Sequence, residues 1–175
     1  MNSYLNILLH RRSIRKYTNE PIAKEPLRMI LNAGLLSPSG RNRKPWEFIV
    51  IEDRETLNKL SKSRAAGAAM LEGAAAAIVV FADPEKTDVW TEDCCIAMSN
   101  MHNMADSLGV GSCWIQGRLR ETADGRTTEE YIKELLSVPE NLKLEAILSL
   151  GMPETTAEEH SLEEILEDKI HWGKY

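Results

Sequence analysis

The sequence predicts one layered domain that mixes helices with strands, of α+β or α/β class. Three observations predict it. The chain has 175 residues and is 43% hydrophobic, enough for one buried core and too apolar for disorder. Short apolar runs suited to strands alternate with segments whose apolar residues recur every three or four positions. No internal repeat or low-complexity linker divides the chain, so residues 1–175 are expected to form a single domain.

Asn2 or Ser3 can cap a first short helix with Leu5, Leu8 and Leu9 on one face. That helix runs into Arg11, Arg12, Ser13, Ile14, Arg15 and Lys16, four cations and one hydroxyl in six residues of a chain whose formal net charge is −6. Such a cluster suits phosphate, because Arg offers a planar fork of donors and Ser a short neutral one. The plainer alternative is a solvated basic turn. Pro26 fits a first helical turn, Leu27, Ile30, Leu31, Gly34 and Leu35 mark an amphipathic helix, and Pro38 stops it. The following loop, 37–45, is longer and more basic than a connection needs and is marked as a ligand loop.

Residues 46–51 (WEFIVI) and 76–82 (AAIVVFA) predict two buried strands, with a short helix capped by Asp53 between them. Residues 64–73 are rich in Ala and Gly and predict no single conformation. The longest helix is expected to start at Asp88 or Thr91 and reach Leu108, with Gly109 beyond its end. Its stripe of Cys94, Ala97, Met98, Met101, Ala105 and Leu108 predicts core or a dimer seam, not a metal site. His102 lies one position off that stripe and is read as structural or exposed. Residues 112–116 (SCWIQ) and 144–150 (LEAILSL) predict the third and fourth strands. Thr127 with Glu130, and Ser161 with Glu164, predict capping boxes for a helix through Leu136 and for a short last helix. The aromatic tail at 169–175 carries Ile170 and Trp172, so it is expected to dock on something.

Charge is divided unevenly. Residues 1–64 hold 13 Lys/Arg against 6 Asp/Glu, whereas residues 65–175 hold 8 against 21. The cations fall in two tight groups, at 11–16 and 41–44, without RNA-binding motifs or zinc ligands. A small phosphorylated ligand is expected, and no nucleic-acid partner. Three cysteines, two of them adjacent and none in a C-x-x-C pair, imply neither a disulfide framework nor a zinc site and suit a reducing cytoplasm. No signal peptide or membrane span is expected. The chain has no nucleophile elbow, no P-loop and no H-E-x-x-H, and its Gly109-Val110-Gly111 follows a predicted helix instead of opening one. Cations, a polar loop and aromatic strand ends without a self-sufficient catalytic set point to a bound cofactor that carries the chemistry.

Five segments in order resemble the nitroreductase family of FMN-dependent oxidoreductases. They are R-R-S-I-R at 11–15, S-P-S-G-R-N-R-K-P-W at 37–46, L-G-V-G-S-C-W-I at 108–115, A-I-L-S-L-G-M-P at 146–153 and H-W-G-K-Y at 171–175. The resemblance implies an α+β fold with a central antiparallel sheet flanked by helices. It implies a homodimer with exchanged C-terminal tails and two FMN sites at the interface. Carried over by position, Arg11, Arg12 and Ser13 would hold the FMN phosphate and Lys174 would complete that site. Arg15 would approach the N1/C2 edge of the ring, where charge gathers on reduction. Pro38, Ser39, Gly40 and Asn42 would come from the second subunit. Trp114, Ile115, Gln116 and Gly117 would lie along the ring, with the backbone N–H of Gln116 or Gly117 facing flavin N5. The resemblance assigns no role to Arg64.

The activity implied is hydride transfer from NADH or NADPH through FMN to a small flat acceptor such as a nitroaromatic or a quinone. No side chain is assigned as catalytic. Two departures stand out: Gln116 occupies a position where many members carry Gly or Glu, and the chain is short, so substrate-selecting lids are small or missing. The alternatives are a specialised family chemistry, reductive dehalogenation or flavin fragmentation, and a protein that stores or senses FMN without turnover.

Overall fold

Four strands pair into one antiparallel sheet, β1 (Trp46–Ile51), β2 (Ala76–Ala82), β3 (Gly111–Gln116) and β4 (Lys143–Gly151), in the order β1-β2-β4-β3. The computed structural model describes residues 2–175. Five helices accompany the sheet: α1 (Ser3–His10), α2 (Lys24–Leu35), α3 (Arg54–Leu60), α4 (Trp90–Ser107) and α5 (Thr128–Leu136). Side chains alternate across the strands, so each strand feeds two cores. Ile78, Val80, Ala146 and Leu148 face Leu27 and Ile30 of α2 and Cys94, Ala97, Met98 and Met101 of α4. Val79, Phe81, Ile115 and Ile147 face Leu57 and Leu60 of α3 and Ile132 of α5. Each fully buried side chain of this size contributes roughly 1.5–3 kcal/mol.

The central strands β2 and β4 are buried almost throughout, but β1 is not the buried strand its apolar run predicts. It lies at the sheet edge, with Trp46 and Ile51 buried and Glu47 exposed. A register shift pairs Val80 with Ala146 and Phe81 with Leu144, which leaves Glu145 as an extra, bulged residue. Gly34 lets α2 lie against α4: a Cβ there would stand 2.9 Å from Met101 and from Phe48.

Most capping expectations are met. The side chains of Asn2, Asp53 and Thr127 accept from the backbone N–H groups of Tyr4, Thr56 and Glu130. The long helix differs, because its N-cap is Val89, with no side-chain cap, and neither Asp88 nor Thr91 serves. The Ser161–Glu164 box forms, but it opens only a 3-10 turn over Leu162–Glu164. The 64–73 segment resolves into turns and a 3-10 turn over Ala69–Glu72. The methionine and cysteine stripe of α4 is core.

The tail does not dock on its own domain. Every residue from 161 to 175 is exposed, and Trp172 is 91% exposed. α1 has no buried residue and exposes Tyr4, Leu5 and Leu8. Among the described residues no helix is long and apolar enough to cross a membrane.

Candidate functional site

After α1 the chain turns at Arg11 and runs beside β3. The Ile14 N–H donates to the Ser112 carbonyl at 2.9 Å, and Ser13 pairs in parallel with Ser112. Tyr17 anchors the far end of this segment. Its hydroxyl lies 2.7 Å from the Ile14 carbonyl and 2.8 Å from Ser149 Oγ, and its ring covers Gly151 so closely that a Cβ would stand 2.6 Å from it. The segment is therefore a splint fixed at both ends, which an unrestrained basic turn would not be.

Arg11, Arg12, Ser13 and Arg15 line one cavity of about 350 Å³, together with Ala157 and His160. Arg12 donates to the Glu158 carbonyl at 2.6 Å and Arg15 to the Ser13 carbonyl at 3.1 Å. Each guanidinium has five N–H donors, so most remain for a ligand. Arg11, Arg12 and Ser13 offer two guanidinium groups and a hydroxyl to a phosphate, and Arg15 lines the same polar cavity.

β3 is the other edge of the sheet. Ser112 points its carbonyl outward to Ile14, and backbone direction alternates along a strand. The N–H and C=O of Trp114 and Gln116 therefore also point outward from the sheet. Gly117 points inward, and its N–H donates to the Glu145 carbonyl at 3.0 Å. Of the two N–H groups expected to face a flavin, only that of Gln116 is turned to the open edge. Gly117 is committed to the sheet, where a Cβ would stand 2.6 Å from Leu144.

The Gln116 side chain is held from behind. Trp114 Nε1 donates to its Oε1 at 2.9 Å, and its Nε2 donates to Glu145 Oε1 at 3.3 Å. Glu145, only 2% exposed, also accepts from Cys95 Sγ at 3.8 Å, and its Oε2 is buried with no partner among the described residues. Burial raises the Glu145 pKa, with hydrogen bonding from Gln116 opposing it. A group whose pKa is raised by folding adds most stability while protonated in both states. That contribution falls as pH climbs from the ordinary value of 4.5 through the raised folded value. Glu145→Gln is thus expected to flatten the fall in urea midpoint over that range, and a slope equal to the parent's would show that the buried carboxyl stays charged.

The loop expected to serve the site lies elsewhere. Pro38, Ser39, Gly40 and Asn42 stand at the N-terminal end of α4, where the Gly40 N–H donates to Asp93 Oδ1 at 2.8 Å. Arg41, Asn42 and Lys44 adopt left-handed φ values of 51°, 56° and 47° without being glycine, so Asp93 and the Ser39 hydroxyl hold a strained turn. At the start of the loop Ser37 Oγ accepts from Asn100 Nδ2 at 2.8 Å. None of Pro38, Ser39, Gly40 and Asn42 lines the cation cavity of the same chain. Lys174 stands in the exposed tail and does not line the cavity. Arg64 is half-buried beside Gly67, its pKa lowered by burial and by Arg120.

Sequence reasoning missed His102, Ser112, Glu145, Asp93 and His160. The one carboxylate inside the apolar run LEAILSL was a visible signal, since a buried charge needs a reason. His102 stands in the sequence reading only as structural or exposed, and it is buried; nothing marks Ser112, Asp93 and His160.

The nitroreductase family model matches residues 8–69 and 61–152. An Archaeoglobus fulgidus protein provisionally named NADH dehydrogenase/NAD(P)H nitroreductase is 38% identical over 180 residues, with all of both chains covered. The solved structure of an FMN-dependent nitroreductase from Clostridium difficile R20291 superposes with a TM-score of 0.95 at 41% identity, covering 98% of this chain and 99% of that one. An FMN complex of a provisionally named nitroreductase from Desulfovibrio desulfuricans superposes with a TM-score of 0.77 at 28% identity, covering 98% and 99%. With the antiparallel sheet, the flanking helices and the cation cavity at its edge, these likenesses establish that the chain belongs to the nitroreductase family.

Proposed function

We propose that this chain is an FMN-dependent NAD(P)H oxidoreductase that reduces a small flat acceptor, such as a nitroaromatic or a quinone, in a ping-pong cycle. The observation that carries the reading is the cavity of three guanidinium groups and a hydroxyl beside the open edge of β3. FMN, when bound, would supply the hydride-transfer chemistry that links NAD(P)H to the acceptor.

The chain's own residues bind and orient. Arg11, Arg12 and Ser13 hold the phosphate. Arg15 opposes the negative charge that builds on the ring. The outward N–H of Gln116 would donate to the ring edge beside Trp114, while Ile115 and Gly117 are turned into the sheet. Pro38, Ser39, Gly40 and Asn42 reach the ring from a second copy, and the exposed tail of that copy brings Lys174 to the phosphate. Two copies are favoured because the loop residues do not line the cavity of their own chain, and by the apolar faces left open on α1 and the tail.

Anaerobic mixing of the flavin-loaded protein with NADH and with NADPH tests the reading. Bleaching of the flavin absorbance, restored by an added quinone or nitroaromatic, is expected. A yellow protein that neither donor bleaches would instead be a flavin store.

A further inference from the structure

We infer that His102 is a positioning residue of the cation cavity: its imidazole, clamped on Ser112, aims the Arg11 guanidinium at the anion. The inference rests on the reading that this cavity holds the FMN phosphate.

His102 comes from α4 and is 8% exposed. Arg11 Nη1 lies 2.9 Å from its Nε2. A guanidinium only donates, so Nε2 must be the acceptor and the ring proton must sit on Nδ1. Nδ1 then donates to Ser112 Oγ. The carbonyl of the same Ser112 accepts the Ile14 N–H. One residue of β3 therefore fixes both the imidazole behind Arg11 and the main chain three residues beyond it. Ser112 thus steadies the imidazole that meets the Arg11 side chain and, at Ile14, the chain just beyond it.

The chemistry of the acceptor matters. A carboxylate behind Arg11 would orient it as well, but it would cancel the charge that must meet the phosphate. A neutral imidazole takes one N–H and leaves the charge. Burial first, and the Arg11 charge second, push the His102 pKa down to about 4, so the ring stays neutral near neutral pH. Asp106, one turn further along α4, is kept from this role by pairing with His10 at 2.9 Å. His102 thus does for Arg11 what a second-sphere group does for a metal ligand: it sets direction without competing for the ligand.

Titration of the full-length, flavin-stripped protein with FMN and with riboflavin, which lacks the phosphate, tests the inference. His102→Leu is expected to weaken FMN by about tenfold or more while leaving riboflavin affinity unchanged. His102→Gln, whose amide oxygen can accept from Arg11, is expected to recover most of that loss. Ser112→Ala, which frees the imidazole, is expected to give a smaller loss, again for FMN alone, and serves if the Leu variant does not fold. Equal losses for both flavins would reduce His102 to a structural role and overturn the inference. So would unchanged FMN affinity in the His102 and Ser112 variants while Arg11→Ala weakens FMN. If Arg11→Ala itself leaves FMN affinity intact, the phosphate reading of the cavity falls, and the role of His102 with it.

Discussion

Replacing Arg11 and Arg15 together by alanine is expected to strip FMN from a domain that remains folded. The two side chains supply two of the three guanidinium groups that line the cavity. A hydrogen bond to a charged partner contributes about 1.5–3 kcal/mol. Losing one such contact from each arginine therefore costs roughly 3–6 kcal/mol, about two to four orders of magnitude in affinity. The fold should survive, because Arg15 is exposed and Arg11 half-buried, and neither belongs to the two apolar cores. One penalty remains, since His102 Nε2 is left buried without its donor, at about 1–3 kcal/mol. That is a fraction of the 5–15 kcal/mol by which a domain is typically stable. Flavin fluorescence titration reads the affinity and far-UV circular dichroism reads the fold. A folded variant that keeps its flavin would remove the phosphate from this cavity.

Deleting residues 170–175 is expected to convert a dimer into monomers and to lower flavin content with it. Ile170 and Trp172 are 47% and 91% exposed within one chain. Burying an Ile or a Trp side chain on a second copy contributes roughly 1.5–3 kcal/mol each, or about 3–6 kcal/mol per tail. In a twofold dimer both tails are lost at once, so the effect doubles. The deletion also removes Lys174 from the proposed phosphate site. The truncated domain keeps its sheet and both cores, because every residue it loses is exposed. Size-exclusion chromatography with light scattering reads the oligomer. A truncation that stays dimeric with full flavin content contradicts the exchanged tail.

Much of the local structure was legible because local rules governed it. Side-chain caps at Asn2, Asp53 and Thr127 act within three residues, so their spacing alone identifies the helix starts. The long helix shows the limit of that rule. Asp88 and Thr91 are good capping residues in the abstract, but the helix begins between them at Trp90, after an uncapped Val89. There the surrounding fold, not the cap, decides the boundary. The run WEFIVI reads as a buried strand, yet β1 is an edge strand, since composition describes a strand's appetite for burial and not its place in the order.

The candidate site divides the same way. The cation group at 11–15 could be read from sequence because the residues are contiguous, and the chain brings them to one cavity. His102 and Ser112 could not, because their link to Arg11 spans 91 residues of sequence and depends on how α4 lies across β3.

By itself the sequence determined that helices and strands alternate along the chain. It determined where most of them start, and that four cations cluster in one short segment. These are properties of composition and of periods of two and 3.6 residues, which neighbouring residues settle among themselves. Only the tertiary structure decided the strand order, the bulge at Glu145 and the choice of Gln116 over Gly117 as the outward N–H. The reason is that pairing register belongs to two strands at once: a backbone group points to a partner or away from it only after that partner is in place.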